Sequence, residues 1–253
     1  MNLTALMDQT LALTAANMKS RYRNTLAGIV WVVLSPIIMY GAQSYAFGHI
    51  LKINIQNFNL HLLLGLLPWL CITQSIQMSA TLLITSGPLL KSYNIHPFVI
   101  IASQALDNLV NFILAFLLIL LPLAFYSEVS LPRLGLLLIP VTSLVFFVLA
   151  FSWITSIVTV FFRDTAFVLG FILSVSFFLT PIFYNIDMVD EHLRWLVRFN
   201  LFYIAIEPFQ KILSPDLQLF WQSSFLSVIV SALLTGSAYL LWKWKRNEIF
   251  RYL

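Results

Sequence analysis

The sequence predicts an all-α integral membrane protein with six transmembrane helices. Of its 253 residues, 60% are hydrophobic and only 9% are charged, and its mean hydropathy is +0.90. Soluble domains carry about a quarter charged residues. Six apolar stretches are each long enough to cross hydrocarbon about 30 Å thick as a helix. We place these spans at residues 27–51, 60–85, 98–125, 134–162, 165–184 and 220–242.

The segment before the first span, residues 1–24, is too polar to cross a membrane. Leucine and methionine recur in it among Thr, Gln, Asn and Asp8. This mildly amphipathic pattern predicts a helix that lies along the cytosolic membrane surface. A loosely ordered tail is the alternative. The segment shows no cleavable signal sequence, so we expect the first span to direct its own insertion.

The distribution of basic residues predicts the orientation. Lys19, Arg21 and Arg23 immediately precede the first span, and further cations follow the last one at Lys243 and Arg246. Lys and Arg beside a span are retained on the cytoplasmic side. We therefore expect both termini in the cytosol. Orientation also accounts for the net charge of +4, which gives no reason to expect nucleic acid.

Two segments between the spans carry structure of their own. Residues 86–97 contain Gly87, Pro88 and Pro97, and this cytosolic loop can begin a short helix at Pro88. Residues 187–213 mix charged side chains with apolar ones at helical spacing. They predict two short helices, broken near Asn200, that dip into the outer leaflet and return. An amphipathic loop on the external surface is the alternative there.

Polar side chains inside the spans predict a lined interior. Gln74 and Gln77 lie on the second span, Asp107 on the third, and Ser152 and Thr155 on the fourth. Such groups face another helix or water rather than lipid. Asp107 is either functional or a structural hydrogen-bonding residue. Because one six-helix bundle encloses little space, the pattern favours a homodimer with a conduit between its copies.

Catalytic chemistry is not indicated. The sequence has no G-x-x-x-x-G-K-[ST] phosphate loop, no His or Cys pair with the spacing of a metal site, and a single cysteine, Cys71. Its acidic residues are dispersed rather than gathered at one membrane face. We therefore predict a transporter, a channel or a scaffold, and no enzyme, metal or cofactor in this chain.

Three segments resemble one protein family. They are Arg21-Tyr-Arg-x-Thr-x-x-Gly-x-x-Trp31 followed by Pro36, Phe178-x-x-Pro-Ile-Phe-Tyr184, and Asn200-x-x-x-x-x-Ile-Glu-x-Phe-Gln-Lys-Ile-Leu213. The sequence is similar in these segments to permease subunits of ABC-2 type exporters, above all those that move lipid-linked O-antigen, teichoic acid and related polysaccharides. Two positions depart from the family pattern: Leu201 stands where proline is common, and Gln210 where arginine is frequent.

The resemblance implies a partner and a docking site. In that family a separate ATPase subunit, present in two copies, binds ATP and magnesium and docks on the loop between the second and third spans and on the N-terminal helix. The residues that correspond to the coupling segment are Gly87, Pro88, Lys91, Tyr93 and His96. An ordinary connecting loop is the alternative interpretation. The resemblance also implies that residues 187–213 are external gate helices.

The cargo implied by the resemblance is an undecaprenyl-diphosphate-linked polysaccharide, moved outward across the bacterial inner membrane. The candidates for holding the diphosphate where the cargo enters are Arg21, Arg23 and Lys91, since Arg binds phosphate bidentately. The aromatic candidates for lining the conduit, beside the polar ones above, are Trp31, Tyr40, Trp69, Trp153, Phe183 and Tyr184. Arg21 and Arg23 could instead be topology anchors, and the aromatic rings could pack against lipid or other helices.

Two alternatives stay open at this point. One is an ABC-2 permease for another cargo, such as teichoic acid, capsule, lipid or a drug. The other is a membrane scaffold that transports nothing. A scaffold has no need of polar side chains inside its spans, which favours a transporter.

Overall fold

The computed structural model describes residues 3–22, 26–53, 55–93, 95–126 and 131–252, and all regular structure in these ranges is helical. The α-helices are α1 Leu3–Tyr22, α2 Leu26–Tyr45, α3 Phe58–Ala80, α4 Leu82–Thr85, α5 Gly87–Ser92, α6 Pro97–Tyr126, α7 Leu131–Gly135, α8 Leu138–Phe161, α9 Thr165–Leu179, α10 Arg194–Arg198, α11 Leu201–Lys211 and α12 Leu217–Tyr252. A π-helical turn, Ala46–Ile50, follows α2, and two 3₁₀ turns, Ile186–Met188 and Glu191–Leu193, precede α10.

Four helices of the described chain are long and apolar enough to cross a membrane. They are α3, α6, α7 continued by α8, and α12. This confirms a helical membrane protein that crosses the bilayer several times. Helix α2 has 20 residues and no charged side chain, whereas α9 has 15 and is about 22 Å long, shorter than the hydrocarbon. The first and fifth spans therefore stay predictions.

The structure ends the fifth helix earlier than the predicted span. Helix α9 stops at Leu179, and residues 180–185 continue without helix. Pro181 explains the break, since it has no N–H to donate and disfavours helical geometry at the residue before it. Residues 180–184 therefore leave the helix axis, and Thr180 contacts Asn200 at the start of α11.

Helix α3 is the centre of the bundle. In its most apolar window, 72% of the residues are buried inside the protein, against 22% in the corresponding window of α12. It packs against α2, α6, α8, α9 and α11. Its leucines between Leu60 and Leu67 are each at most 3% exposed. The leucine run is consequently the protein core rather than a lipid-facing surface.

Helices α8 and α12 share the most extensive helix contact in the described chain. Toward the start of both helices, this contact holds a cluster of three serines. The Ser143 hydroxyl lies 2.7 Å from the Ser227 hydroxyl and 3.0 Å from that of Ser231. Small residues spaced by four along a helix let two backbones approach closely, and their hydroxyls find partners across the contact. The four-residue spacing of Ser227 and Ser231 therefore determines which face of α12 packs against α8.

Helix α1 packs along α6 through a polar face. Thr10 and Thr14 are buried, and Asn17 Nδ2 lies 3.5 Å from Ser103 Oγ on α6. Met7, by contrast, is 57% exposed. The apolar side chains of α1 are therefore available to a surface outside the chain. That this surface is the membrane interface stays a prediction.

The end of α2 is fixed on two neighbours. The Tyr40 hydroxyl donates to the Asn59 carbonyl at 3.2 Å, and the Ser44 hydroxyl to Asn59 Oδ1 at 2.8 Å. In the π-helical turn, the Phe47 ring stacks on Phe183 with centroids 4.2 Å apart. These contacts hold α2 against the start of α3 and the segment after α9.

Candidate functional site

One flank of α3 is open, although the rest of the helix is buried. Gln74 and Gln77 are both exposed, and Thr73 beside them is half-buried. We call this surface, together with the parts of α2 and α9 beside it, the α3 flank. Three adjoining cavities of about 180, 420 and 290 Å³ follow it, and Gln74 lines the first two and Gln77 the third.

The α3 flank combines amide and aromatic groups. On α2, Trp31 is 57% exposed and shares a cavity with Gln74. On the other side, Phe177 of α9 shares a cavity with Gln77. Amide side chains that face hydrocarbon lose their hydrogen-bond partners at a cost of several kcal/mol. This flank is therefore suited to face water, a polar ligand or a second polypeptide rather than lipid.

The polar residues of α8 lie elsewhere. Ser152 is fully buried, Thr155 is 5% exposed, and the Thr155 hydroxyl donates to the Ser152 carbonyl at 3.1 Å. One turn further on, the Ser156 hydroxyl donates to the Ser79 carbonyl of α3. Of these hydroxyls, that of Ser156 links α8 to α3, whereas Ser152 and Thr155 are buried in the single chain. A conduit-lining role for Ser152 and Thr155 stays a prediction.

Polar groups of α6 continue this buried contact. Asn108 Nδ2 donates to the Ser75 hydroxyl of α3 at 3.3 Å. Asp107, the adjacent residue, is fully buried. Asn108 also reaches the cavity that Gln74 lines. The polar interior of α3 and α6 is thus connected to the α3 flank at this level.

The predicted aromatic residues are split between surface and interior. Trp69 is 4% exposed, and its ring lies 5.8 Å from Phe177 and 5.6 Å from Phe202. Trp153 is 5% exposed. Tyr40, Phe183 and Tyr184 are each half-buried. Of this set, Trp31 is the ring that the structure exposes on the α3 flank.

The predicted coupling segment forms a short exposed helix, α5. Pro88 lies in its first turn, and Lys91 and Tyr93 are exposed, while Gly87 is buried. His96 packs against two indoles that also contact each other, 6.4 Å from Trp153 and 5.0 Å from Trp242 between ring centroids. Burial lowers the pKa of His96. The exposed part of α5 is therefore fixed to the bundle by an uncharged aromatic contact.

The segment after α9 is anchored at Asn200, the N-cap of α11. Asn200 Oδ1 accepts from the Phe202 and Tyr203 backbone N–H groups at 2.9 and 3.4 Å. Asn200 Nδ2 donates to Thr180 Oγ1 at 2.9 Å. Two short helices, α10 and α11, therefore meet at this asparagine, and α11 is buried from residue 202 to 206. That they act as a gate stays a prediction.

A carboxylate lies within α11. The Tyr203 hydroxyl donates to Glu207 Oε1 at 3.1 Å. Burial raises the pKa of Glu207, and Lys211 and the Tyr203 hydrogen bond oppose this shift. Burial also raises the pKa of Tyr203.

Gln210 closes the contact between α11, α3 and the segment after α9. Its Nε2 donates to the Pro181 carbonyl at 2.8 Å and lies 3.3 Å from His61 Nε2. Gly65 on α3 makes room for it, because a Cβ at that position would lie 2.6 Å from Gln210 Nε2. We call this contact the Gln210 junction. Gly65 was missed by sequence reasoning, although a lone glycine inside a leucine run is a signal of close approach.

A polar cavity of about 390 Å³ lies beside the Gln210 junction. His61, Tyr184, Asp187 and Lys211 are among the residues that line it. It opens at the end of the bundle where α3 begins, and α5 lies where α3 and α4 end. Of the other predicted residues, Lys91 lies on α5, Arg23 lies outside the described residues, and the side chain of Arg21 is not among those described.

The long apolar helices and the amide-bearing α3 flank define a helical membrane protein of the transporter class. Residues 8–214 match the ABC-2 type transporter family, and the chain belongs to that family. This confirms the resemblance found in the sequence. The match covers every helix from α2 to α11 and most of α1, and it ends before α12.

Several similar proteins carry the name of an O-antigen export permease. The chain is 28% identical over 236 residues to the O-antigen export system permease protein RfbA of Myxococcus xanthus, which covers 92% of this chain and 88% of that protein. It is 27% identical to two proteins of the same name from Klebsiella pneumoniae, over 202 and 203 residues. Each of these alignments covers 79% of this chain and 77% of the relative.

Proposed function

We propose that this chain is the permease subunit of an ATP-driven exporter that moves undecaprenyl-diphosphate-linked polysaccharide, most specifically O-antigen, outward across the bacterial inner membrane. The observation that carries the proposal is the α3 flank, a surface with exposed Gln74 and Gln77 between apolar helices. Hydroxyl-rich sugars need amide partners and aromatic faces, and Trp31 adds such a face. The names of the relatives support the choice of cargo.

Two copies of the chain form the conduit in this proposal. The α3 flank of a single chain lies open at the level of the apolar helices, where its amides have no water to bind. A second copy related by a two-fold axis would place an identical flank opposite the first. Trp31, Gln74 and Gln77 from both copies would then face one another across a polar passage.

The ATPase subunit docks on α5. Pro88, Lys91 and Tyr93 form an exposed patch there, and His96 ties the segment to α8 and α12 through Trp153 and Trp242. A displacement of α5 is therefore passed to the long helices that it contacts. ATP and magnesium bind to the partner subunit in this arrangement. Docking at α5 places both termini in the cytosol, in agreement with the basic residues around the spans.

The cargo diphosphate is held by cations at the cytosolic entry. Lys91 is exposed on α5, and Arg21 and Arg23 precede α2 in the sequence. Phosphate binding by Arg and Lys is charge-assisted and strong enough to hold a lipid-linked diphosphate at a membrane surface. These three residues are the ones that we assign to this role.

The first test is purification of the tagged chain from its native membrane in mild detergent, with mass spectrometry of the bound proteins. We expect a P-loop ATPase at about one copy per permease, as the family architecture requires. An oligomer that contains no ATPase would contradict the exporter and favour a scaffold. In a strain that lacks this chain, the cargo should accumulate inside the cell, and we expect it to be lipid-linked O-antigen. Accumulation of a teichoic acid, a capsule chain, another lipid or a drug would identify that molecule as the cargo.

A second test separates the α3 flank from the rest of the surface. Gln74→Leu combined with Gln77→Leu is expected to abolish export while the ATPase still co-purifies. Gln222→Leu is the matched control, since Gln222 is exposed on α12 away from that flank. Equal export by both variants would show that the flank does not line the passage.

A third test concerns α5. The double variant Lys91→Ala with Tyr93→Ala should leave ATP hydrolysis uncoupled from export.

A further inference from the structure

A second surface of the long helices is apolar and concave. A groove of about 380 Å³ lies between α8, α12 and the start of α6. Its walls include Phe146, Leu149, Trp153, Thr235, Ala238 and Trp242. It extends over eight residues of each long helix, about 10 Å from the first to the last at 1.5 Å per residue. We call it the α8/α12 groove. None of its lining residues belongs to the α3 flank.

Aromatic rings close one end of the groove. The Trp153 and Trp242 centroids are 5.0 Å apart, and His96 lies 5.0 Å from Trp242. This is the end of the bundle that carries α5. Trp residues concentrate where hydrocarbon meets the headgroups, with their rings partly in each. The closed end therefore marks headgroup depth, and Phe146 and Thr235 lie deeper in the hydrocarbon.

A cation continues the groove beyond its aromatic end. Thr235, Ala238 and Trp242 share one face of α12, and Arg246 follows Trp242 by four residues on the same face. Arg246 is exposed. The neighbouring Lys245 is engaged elsewhere, since its Nζ lies 2.8 Å from Glu248 Oε2 and over the Phe161 ring. Arg246 is thus the residue positioned to meet a charge above the groove.

We propose that the α8/α12 groove binds one acyl chain of an anionic phospholipid, whose phosphate pairs with Arg246. The groove opens on helices that cross the bilayer, and its apolar walls would hold water poorly. Left empty, it would forfeit the dispersion contacts of its lining. An acyl chain restores those contacts, and a guanidinium binds phosphate oxygens bidentately. The proposed ligand is a lipid of the surrounding membrane, so its binding does not depend on which cargo is exported.

The probe is phosphatidylglycerol that carries a photoreactive diazirine in one acyl chain, with the phosphatidylethanolamine analogue as its zwitterionic counterpart. The full chain is reconstituted in nanodiscs, irradiated, and digested for peptide mapping. We expect phosphatidylglycerol to label α8 and α12 peptides that contain Trp153 or Trp242. Labelling outside these peptides, or equal labelling by both lipids, would overturn the proposal.

Matched variants identify the two parts of the site. Arg246→Gln should lower labelling by phosphatidylglycerol about fivefold, the effect of one basic residue near an anionic headgroup. Arg251→Gln is its control, since Arg251 lies nine residues beyond Trp242 and so on the opposite side of α12. Thr235→Trp should fill the groove and lower labelling by both lipids, with exposed Leu233→Trp as the control for bulk.

Three results would contradict the assignment. If Arg246→Gln and Arg251→Gln lowered phosphatidylglycerol labelling equally, the effect would come from the overall positive charge of this end of α12 and not from a site at Arg246. Unchanged labelling in Thr235→Trp, in a variant that elutes as the wild type does, would exclude the groove as the binding place. Recovery of a polyprenyl diphosphate crosslinked in the groove, after growth with a photoreactive polyprenol precursor, would assign it to the cargo instead of to a phospholipid.

Discussion

Gly65→Ala is expected to weaken the Gln210 junction selectively. The added Cβ would lie 2.6 Å from Gln210 Nε2 and 3.1 Å from the Ile182 carbonyl oxygen. To regain a contact of about 3.5 Å, the amide would have to retreat by about 1 Å. That movement breaks its 2.8 Å hydrogen bond to the Pro181 carbonyl. The segment after α9 would thereby lose this link to α11 and keep the hydrogen bond between Asn200 and Thr180.

The magnitude follows from three contributions. Crowding in a packed interior costs about 1–3 kcal/mol. Loss of a buried hydrogen bond costs about 1–3 kcal/mol. Alanine is favoured over glycine within a helix by about 1 kcal/mol, which offsets part of the loss. We therefore expect Gly65→Ala to lower the free energy of unfolding by about 1–5 kcal/mol.

The assay is unfolding of the purified chain in mixed micelles, titrated with sodium dodecyl sulfate and followed by tryptophan fluorescence. Gly170→Ala is the control, because nothing lies within 4 Å of a Cβ at that position on α9. Combining Gly65→Ala with Gln210→Ala removes the 2.6 Å contact with the amide, so the two losses should fall short of additivity by about 1 kcal/mol or more. Equal stability of the Gly65 and Gly170 variants, or additive losses in the double variant, would refute the reasoning.

Three further changes test other contacts. Ser227→Leu should separate α8 from α12 and cost about 1–3 kcal/mol in the same titration, whereas exposed Ser237→Leu should be neutral. Asn200→Ala should remove the cap of α11 at a cost of about 1–2 kcal/mol and reduce hydrogen-exchange protection of that helix, and Asn200→Ser should retain most of it. Because burial raises the pKa of Glu207, its ionised form favours the unfolded chain. The contribution of Glu207 to stability should therefore fall as pH rises above about 4.5, the ordinary pKa of a glutamate, so the stability of Glu207→Gln relative to the wild type should increase over that range; a difference that does not change with pH would exclude this effect.

The helical character of the protein could be predicted because the bilayer restricts the alternatives. In hydrocarbon every backbone N–H and C=O must be satisfied within the segment, so a long apolar run reports a helix directly. Helices α3, α6, α8 and α12 follow this rule. The family could be recognised as well, from the segment that begins at Arg21 and the segments that end at Tyr184 and Leu213, and the family match confirms it.

Hydropathy could not show where the apolar residues face. The leucines of α3 read like a lipid-exposed span, yet they form the core. Ser152 and Thr155 define one face of α8, but helical spacing identifies a face and not the partner that it meets. Residues 180–184 are apolar enough to extend a span, and Pro181 ends the helix before them.

Two features had signals that residue spacing could have provided. Ser223, Ser227 and Ser231 recur every four residues on α12, a pattern typical of close helix contact in membranes. Gly65 stands alone among leucines, where a missing side chain indicates that another group approaches. In both cases the signal indicates a close contact but not the second element, because the partners, Ser143 and Gln210, are distant in sequence.

The length of α12 has a mechanical consequence. It runs unbroken for 36 residues, about 54 Å, which exceeds the hydrocarbon thickness by about 24 Å. Near its start it packs against α11, and beyond its middle it reaches the Trp153 and His96 rings that hold α5. A rod pivoting at its centre by about 5° would carry each tip through about 2 Å. If α12 turned as one rigid rod about its centre, a small displacement at one end of the bundle would therefore be delivered at the other end in the opposite direction.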